Sequence, residues 1–128
     1  MHREKIVKAV DSAMTHLKNA VDSYTKGNEE KVVNLTWKAS SDLEYALFLF
    51  AFESPKKILK SSWKLLSKQT DIESILVFTL KTLKEAVKNF DRDNLDEAYR
   101  KTWISKGHLL KIHELFEKKR EKKRKRYR

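Results

Sequence analysis

The chain has 128 residues, 37% of them charged, with a formal net charge of +11. That length suggests one domain with a core of its own. The absence of Cys excludes disulfides and thiolate metal sites, and two Gly and one Pro leave little to interrupt long helices.

The opening residues, Met1 to Lys5, are charged and lack the apolar run of a signal peptide. Ile6, Val10, Ala13, Met14, Leu17, Ala20, Val21 and Tyr24 then recur at spacings of three and four, which predicts an amphipathic helix over 3–26. Gly27 suits a left-handed C-terminal cap, and Asn28 an N-cap for a second helix over 29–53. Val33, Trp37, Leu43, Leu47 and Phe50 form the core stripe of that helix, with Trp37 read as a core anchor. Ser54-Pro55 reads as a stop and restart, followed by a short connector helix over 55–68 across the end or flank of the bundle. Thr70 and Glu73 have the spacing of a capping box for the next helix, which runs to about Phe90. After a turn at Asp91–Asn94, a last helix runs from Leu95 to at least Lys118.

A gap-free shift that places Ile6 on Ile72 lays the second half of the chain on the first. Leu17-Lys18-Asn19-Ala20-Val21 falls on Leu83-Lys84-Glu85-Ala86-Val87, Asn28 on Asn94, Thr36-Trp37 on Thr102-Trp103, and Leu49-Phe50 on Leu115-Phe116. Similar amphipathic helices share a stripe, but they have no reason to share the turn Asn and the Thr-Trp pair in one register. One hairpin cannot cover its own apolar face, so two copies predict an all-α four-helix bundle with Trp37 and Trp103 related by a pseudo-twofold axis. The expected layout is repeat 1 over about 3–53, the connector over 55–68, repeat 2 over 70–116, and a basic tail over 117–128.

Charge divides along the same boundaries. Residues 1–54 have a net charge of −1 and residues 69–116 a net charge of zero, whereas 55–68 hold +5 and 117–128 hold +7. The candidate phosphate-binding residues are therefore Lys56, Lys57, Lys60, Lys64 and Lys68 of the connector. To these the tail adds Lys118, Lys119, Arg120, Lys122, Lys123, Arg124, Lys125, Arg126 and Arg128. Cations at this density neutralise phosphates and release counterions without reading sequence. The tail is expected to extend the last helix through Glu114–Lys118 and Glu121–Lys125 pairs and to fray distally.

Tyr45 to Phe52 is apolar around most of the helix, giving repeat 1 a second apolar face at Tyr45, Phe48 and Phe52. Ile75 and Phe78 also lie off the main stripe, and the five together form a candidate homodimer interface. The alternative function is then a homodimeric protein-interaction or scaffold module. His2, His16, His108 and His113 match no metal-binding motif, and no Gly-rich phosphate loop is present, so no catalytic residue, metal or cofactor is assigned. The longest apolar stretch is too short to span a bilayer, and a cytoplasmic protein is expected. Many Lys and Glu without Cys also fit a thermophile.

The segment Leu17-Lys-Asn-Ala-Val, Gly27-Asn-Glu and Trp37-Lys-Ala39 resembles the helical hairpin of archaeal paralogous-family proteins in the HEPN-like group. The resemblance is confined to the stretch from Leu17 to Ala39 and recurs at 83–103 with Asp93 in place of the Gly. It implies an all-α dimer and, for HEPN ribonucleases, an Arg followed by His after four to six residues. Arg100 and His108 have seven residues between them, so no catalytic site is carried over, and a degenerate HEPN-type ribonuclease is the third reading the resemblance implies.

Overall fold

The computed structural model describes residues 2–53 and 71–126. They form four helices, α1 (Arg3–Thr25), α2 (Glu29–Glu53), α3 (Ile72–Asp91) and α4 (Leu95–Arg126), with no strand among the described residues. The expected connector helix, with Ser54, Pro55 and Lys56, Lys57, Lys60, Lys64 and Lys68, lies outside those residues.

Each hairpin closes with the same turn. After α1, the Gly27 amide donates to the Tyr24 carbonyl and the Asn28 amide to the Ser23 carbonyl. After α3, Asp93 donates to Phe90 and Asn94 to Asn89, the same bonds at the equivalent positions of the second repeat. This paired bonding cages the last carbonyls of the helix and requires a left-handed residue after the cap. Gly27 supplies it with φ 76° and Asp93 with φ 61°. Asp tolerates that region better than most side chains, which is how the turn survives without its glycine. The Asn28 side chain accepts from the Lys31 amide and caps α2, whereas the Asn94 side-chain amide donates to Asn89.

The start of α3 differs from the expected capping box. Asp71 is the N-cap, in extended backbone, and its carboxylate accepts from the Ser74 amide at 2.8 Å. The helix begins two residues after Thr70, so Glu73 lies in the first turn at the wrong offset to reach back to a Thr cap. A carboxylate there also faces the positive end of the helix dipole, and the Ser74 bond holds its pKa below the usual value.

The packing is all-antiparallel. Glu29 pairs with Lys119, Trp37 with His113, Glu44 with Lys106 and Phe50 with Tyr99, so α2 numbers rise as α4 numbers fall. Arg3 at the start of α1 pairs with Asp93 just past α3, so α1 and α3 are also antiparallel. The pseudo-twofold axis is therefore perpendicular to the helices, and the two tight turns sit at opposite ends. Equivalent positions share the core: Ile6 and Ile72, Leu17 and Leu83, Ala20 and Ala86, Thr36 and Thr102, Leu43 and Leu109, Phe50 and Phe116. Thr36, Thr79, Thr82 and Thr102 satisfy their buried hydroxyls on carbonyls one turn back, so these threonines enter the core without losing hydrogen bonds.

Three core assignments change. Trp37 is 53% exposed, and Trp103 is only half-buried; neither is a core anchor. Trp37 is six residues from Leu43, about 120° around the helix from the stripe, so it sits over the α2–α4 groove. Ile75 is fully buried and belongs to the core, not to an exposed patch. Ile75 precedes the stripe residue Leu76 by one position, and α4 covers that flank of α3.

Candidate nucleic-acid interface

The basic extension exists because α4 outlasts its partner. Lys119 pairs with Glu29, the first residue of α2, so the bundle ends there. Residues 120–126 continue as helix for about 10 Å beyond it, at 1.5 Å per residue. Every residue from Glu117 to Lys125 is exposed. Thus Lys118, Lys119, Arg120, Lys122, Lys123, Arg124 and Lys125 are carried on one continuous helix, with Arg126 its last residue and Arg128 outside the described residues. The described helix runs to Arg126. The ion pairs at the root are Lys119–Glu29 and Arg120–Glu117.

Glu117 and Glu121 are one turn apart, so the acids share a single stripe and the cations occupy the rest of the circumference. Lys119 and Lys123 lie one turn apart on the side toward α2. There the hydrogen bond from the Lys119 ammonium lowers the Glu29 pKa, and Glu29 raises that of Lys119. Beneath them lies a cleft of about 390 Å³ floored by Val33 and Phe116. Val33 and Phe116 are the pseudo-twofold mates of Tyr99 and Phe50, which pack edge-to-face at the other end.

The outward face of α2 carries Tyr45, Phe48 and Phe52, spaced three and four and pointing away from the Leu43 stripe. All three are exposed, Phe48 and Phe52 at 60% and 61%. Phe48 meets Phe52 edge-on at 5.2 Å, and Phe52 also contacts His2 at 5.1 Å. Of the other two residues expected in this interface, Ile75 is in the core. Phe78 is partly buried on α3 against the His108 ring, 5.3 Å away.

The histidines are structural in placement. His16 faces Asp42 across α1–α2 at 3.6 Å. The pseudo-twofold mates of these two residues are Thr82 and His108, so the second hairpin has a buried imidazole where the first has a carboxylate. Neither ring nitrogen of His108 has a hydrogen-bond partner among the described residues. Burial, with a smaller contribution from Lys111, pushes its pKa down to about 4. Arg100 pairs with Glu97 on its own helix, and His108 is closed off from solvent, so the two are not displayed as a catalytic pair. Among the described residues, no three His, Cys, Asp or Glu converge as metal ligands, and no helix is long and apolar enough to cross a membrane.

Sequence reasoning missed the stacked pair of Trp37 and His113, with ring centroids 3.8 Å apart. The signal was present in the helical offset of Trp37 from Leu43, but its partner lies far along the chain on another helix. Comparison with family models, curated proteins and solved structures returned no match.

Proposed function

We propose that this is a non-enzymatic nucleic-acid-binding helical protein, with the α4 extension as its grip on the phosphate backbone. The observation that carries this reading is the continuation of α4 past the bundle to Arg126 with its cations exposed around most of the helix. A preformed helix of this kind loses less conformational entropy on binding than a disordered tail of the same charge. The near-neutral bundle supplies the mount, and the Lys119–Glu29 pair fixes the root of the extension. The connector lysines Lys56, Lys57, Lys60, Lys64 and Lys68 add charge to the same reading from sequence alone.

The test is affinity for DNA and RNA across a salt series, for the full chain and for a variant ending at Phe116. The full chain should lose affinity steeply with salt, and the shortened chain should bind weakly with a flat slope. Equal binding by both would remove the extension from the mechanism.

A second reading, favoured by the exposed Tyr45, Phe48 and Phe52, is homodimerisation through the outer face of α2. Phe48→Glu should then convert a dimer to a monomer in light scattering without loss of helicity. A monomeric wild type would end this reading and leave the first untouched.

A further inference from the structure

Trp37 is a large aromatic that the core does not take in. Its indole lies flat on the His113 imidazole, with planes 18° apart, and more than half its surface is open to solvent. His113 is buried, and burial lowers its pKa, which favours the neutral ring behind the indole. The pair forms a stacked aromatic plate in the groove between α2 and α4.

The plate lies one helical turn from residues that line the cleft at the root of the basic extension. Val33 lies one turn from Trp37 along α2, and Phe116 one turn from His113 along α4. Above this apolar floor stand Lys119, Arg120 and Lys123. Glu29 and Glu30 line the same cleft, but Glu29 is already neutralised by Lys119. Eight residues separate Trp37 from Glu29, about 12 Å along the helix axis, so one short stretch of strand can meet both plate and cations.

Aromatic faces beside a cationic groove suit unpaired nucleotides, because a base inside a duplex has no free face to offer. We infer that the groove between α2 and α4 binds single-stranded nucleic acid, with an unpaired base stacked on Trp37 and neighbouring phosphates held by Arg120 and Lys123. This rests on the nucleic-acid reading above and specifies the form of nucleic acid.

The experiment uses the full chain and fluorescence anisotropy at one low salt concentration, with a salt series for the last variant. The probes are labelled oligouridylate, oligothymidylate and a duplex of the same length. Trp37→Ala should weaken both single strands about ten-fold, within the range for loss of one stacked base, and leave the duplex unchanged. Trp37→Phe should keep most of the affinity. Trp37→Leu keeps an apolar side chain without a π face and should behave as Trp37→Ala, which separates stacking from folding. Arg120→Ala with Lys123→Ala should weaken the single strands and reduce their salt slope.

Unchanged single-strand affinity in Trp37→Ala, or an equal loss on single strand and duplex, would overturn the groove. If replacing the tail cations with Gln abolishes binding while Trp37→Ala does not, the groove fails and the extension stands. If the wild type binds none of the three probes, both readings fail.

Discussion

The two hairpins agree where they face each other and differ where they face the solvent. The backbone hydrogen bonds of their turns repeat, and their inward positions share one core. On the outer face, repeat 1 has Tyr45, Phe48 and Phe52 where repeat 2 has Lys111, Glu114 and Lys118. In repeat 2, α4 runs on to Arg126 with a basic extension. Close packing constrains interior volume, so the inward set tolerates little change. The outer faces are free of that constraint and are where the copies acquired separate characters.

The largest effect that would break the symmetry of the core comes from its aromatic anchors. Phe50 packs edge-to-face on Phe90 and Tyr99, with centroids 5.8 and 5.3 Å apart. Phe50→Ala should cost about 4–5 kcal/mol in denaturant unfolding, near the top of the range for such truncations. Its mate Phe116 borders the open cleft, where water can replace the lost ring. Phe116→Ala should therefore cost about 3 kcal/mol, and equal costs would argue that the two ends pack alike.

Next is the exchange of the His16–Asp42 pair for Thr82 and His108. An unfolded His titrates near 6.5 and folded His108 at about 4, so between those values the unfolded state binds more protons. Stability supplied by neutral His108 is complete above pH 6.5 and is lost as pH falls toward 4. His113 acts in the same direction. Thermal melts at stepped pH should show the midpoint falling over that window. His108→Leu should flatten the fall, and an unaltered pH profile would show that His108 is not the group responsible.

A smaller effect comes from the turns. Gly27→Ala meets no atom within 4 Å, so its cost is backbone conformation alone, about 1 kcal/mol by denaturant titration. Asp93→Gly relieves the same strain but removes the ion pair to Arg3, at 2.8 Å and largely exposed. The opposing effects should leave the net change within about 0.5 kcal/mol. The smallest change is expected from Phe48→Glu, about 0.5 kcal/mol or less in chain stability, because the ring is exposed on its own helix.

Much of the fold was legible because it depends on local spacing. Stripes at three and four, the caps at Gly27 and Asn28, and the gap-free register of the repeat are all written in the order of the chain. The α3 start was misplaced by one because Thr70, Asp71 and Glu73 offer competing caps, and the backbone selects one by conformation. The site was less legible. The charge of the tail was plain, but its helical continuation to Arg126 was not, since a run of like charges repels itself and carries no apolar stripe.

Sequence alone determined the four helices, the repeated pattern of the two halves and the segregation of charge into residues 55–68 and 117–128, because periodicity and composition are written along the chain. Tertiary structure decided that Ile75 is core, that Trp37 is a solvent-facing plate on His113, and that the first cations of the tail border a cleft beside it. Those outcomes depend on which helix approaches which face, and contacts between residues 37 and 113 or 29 and 119 leave no trace in local spacing.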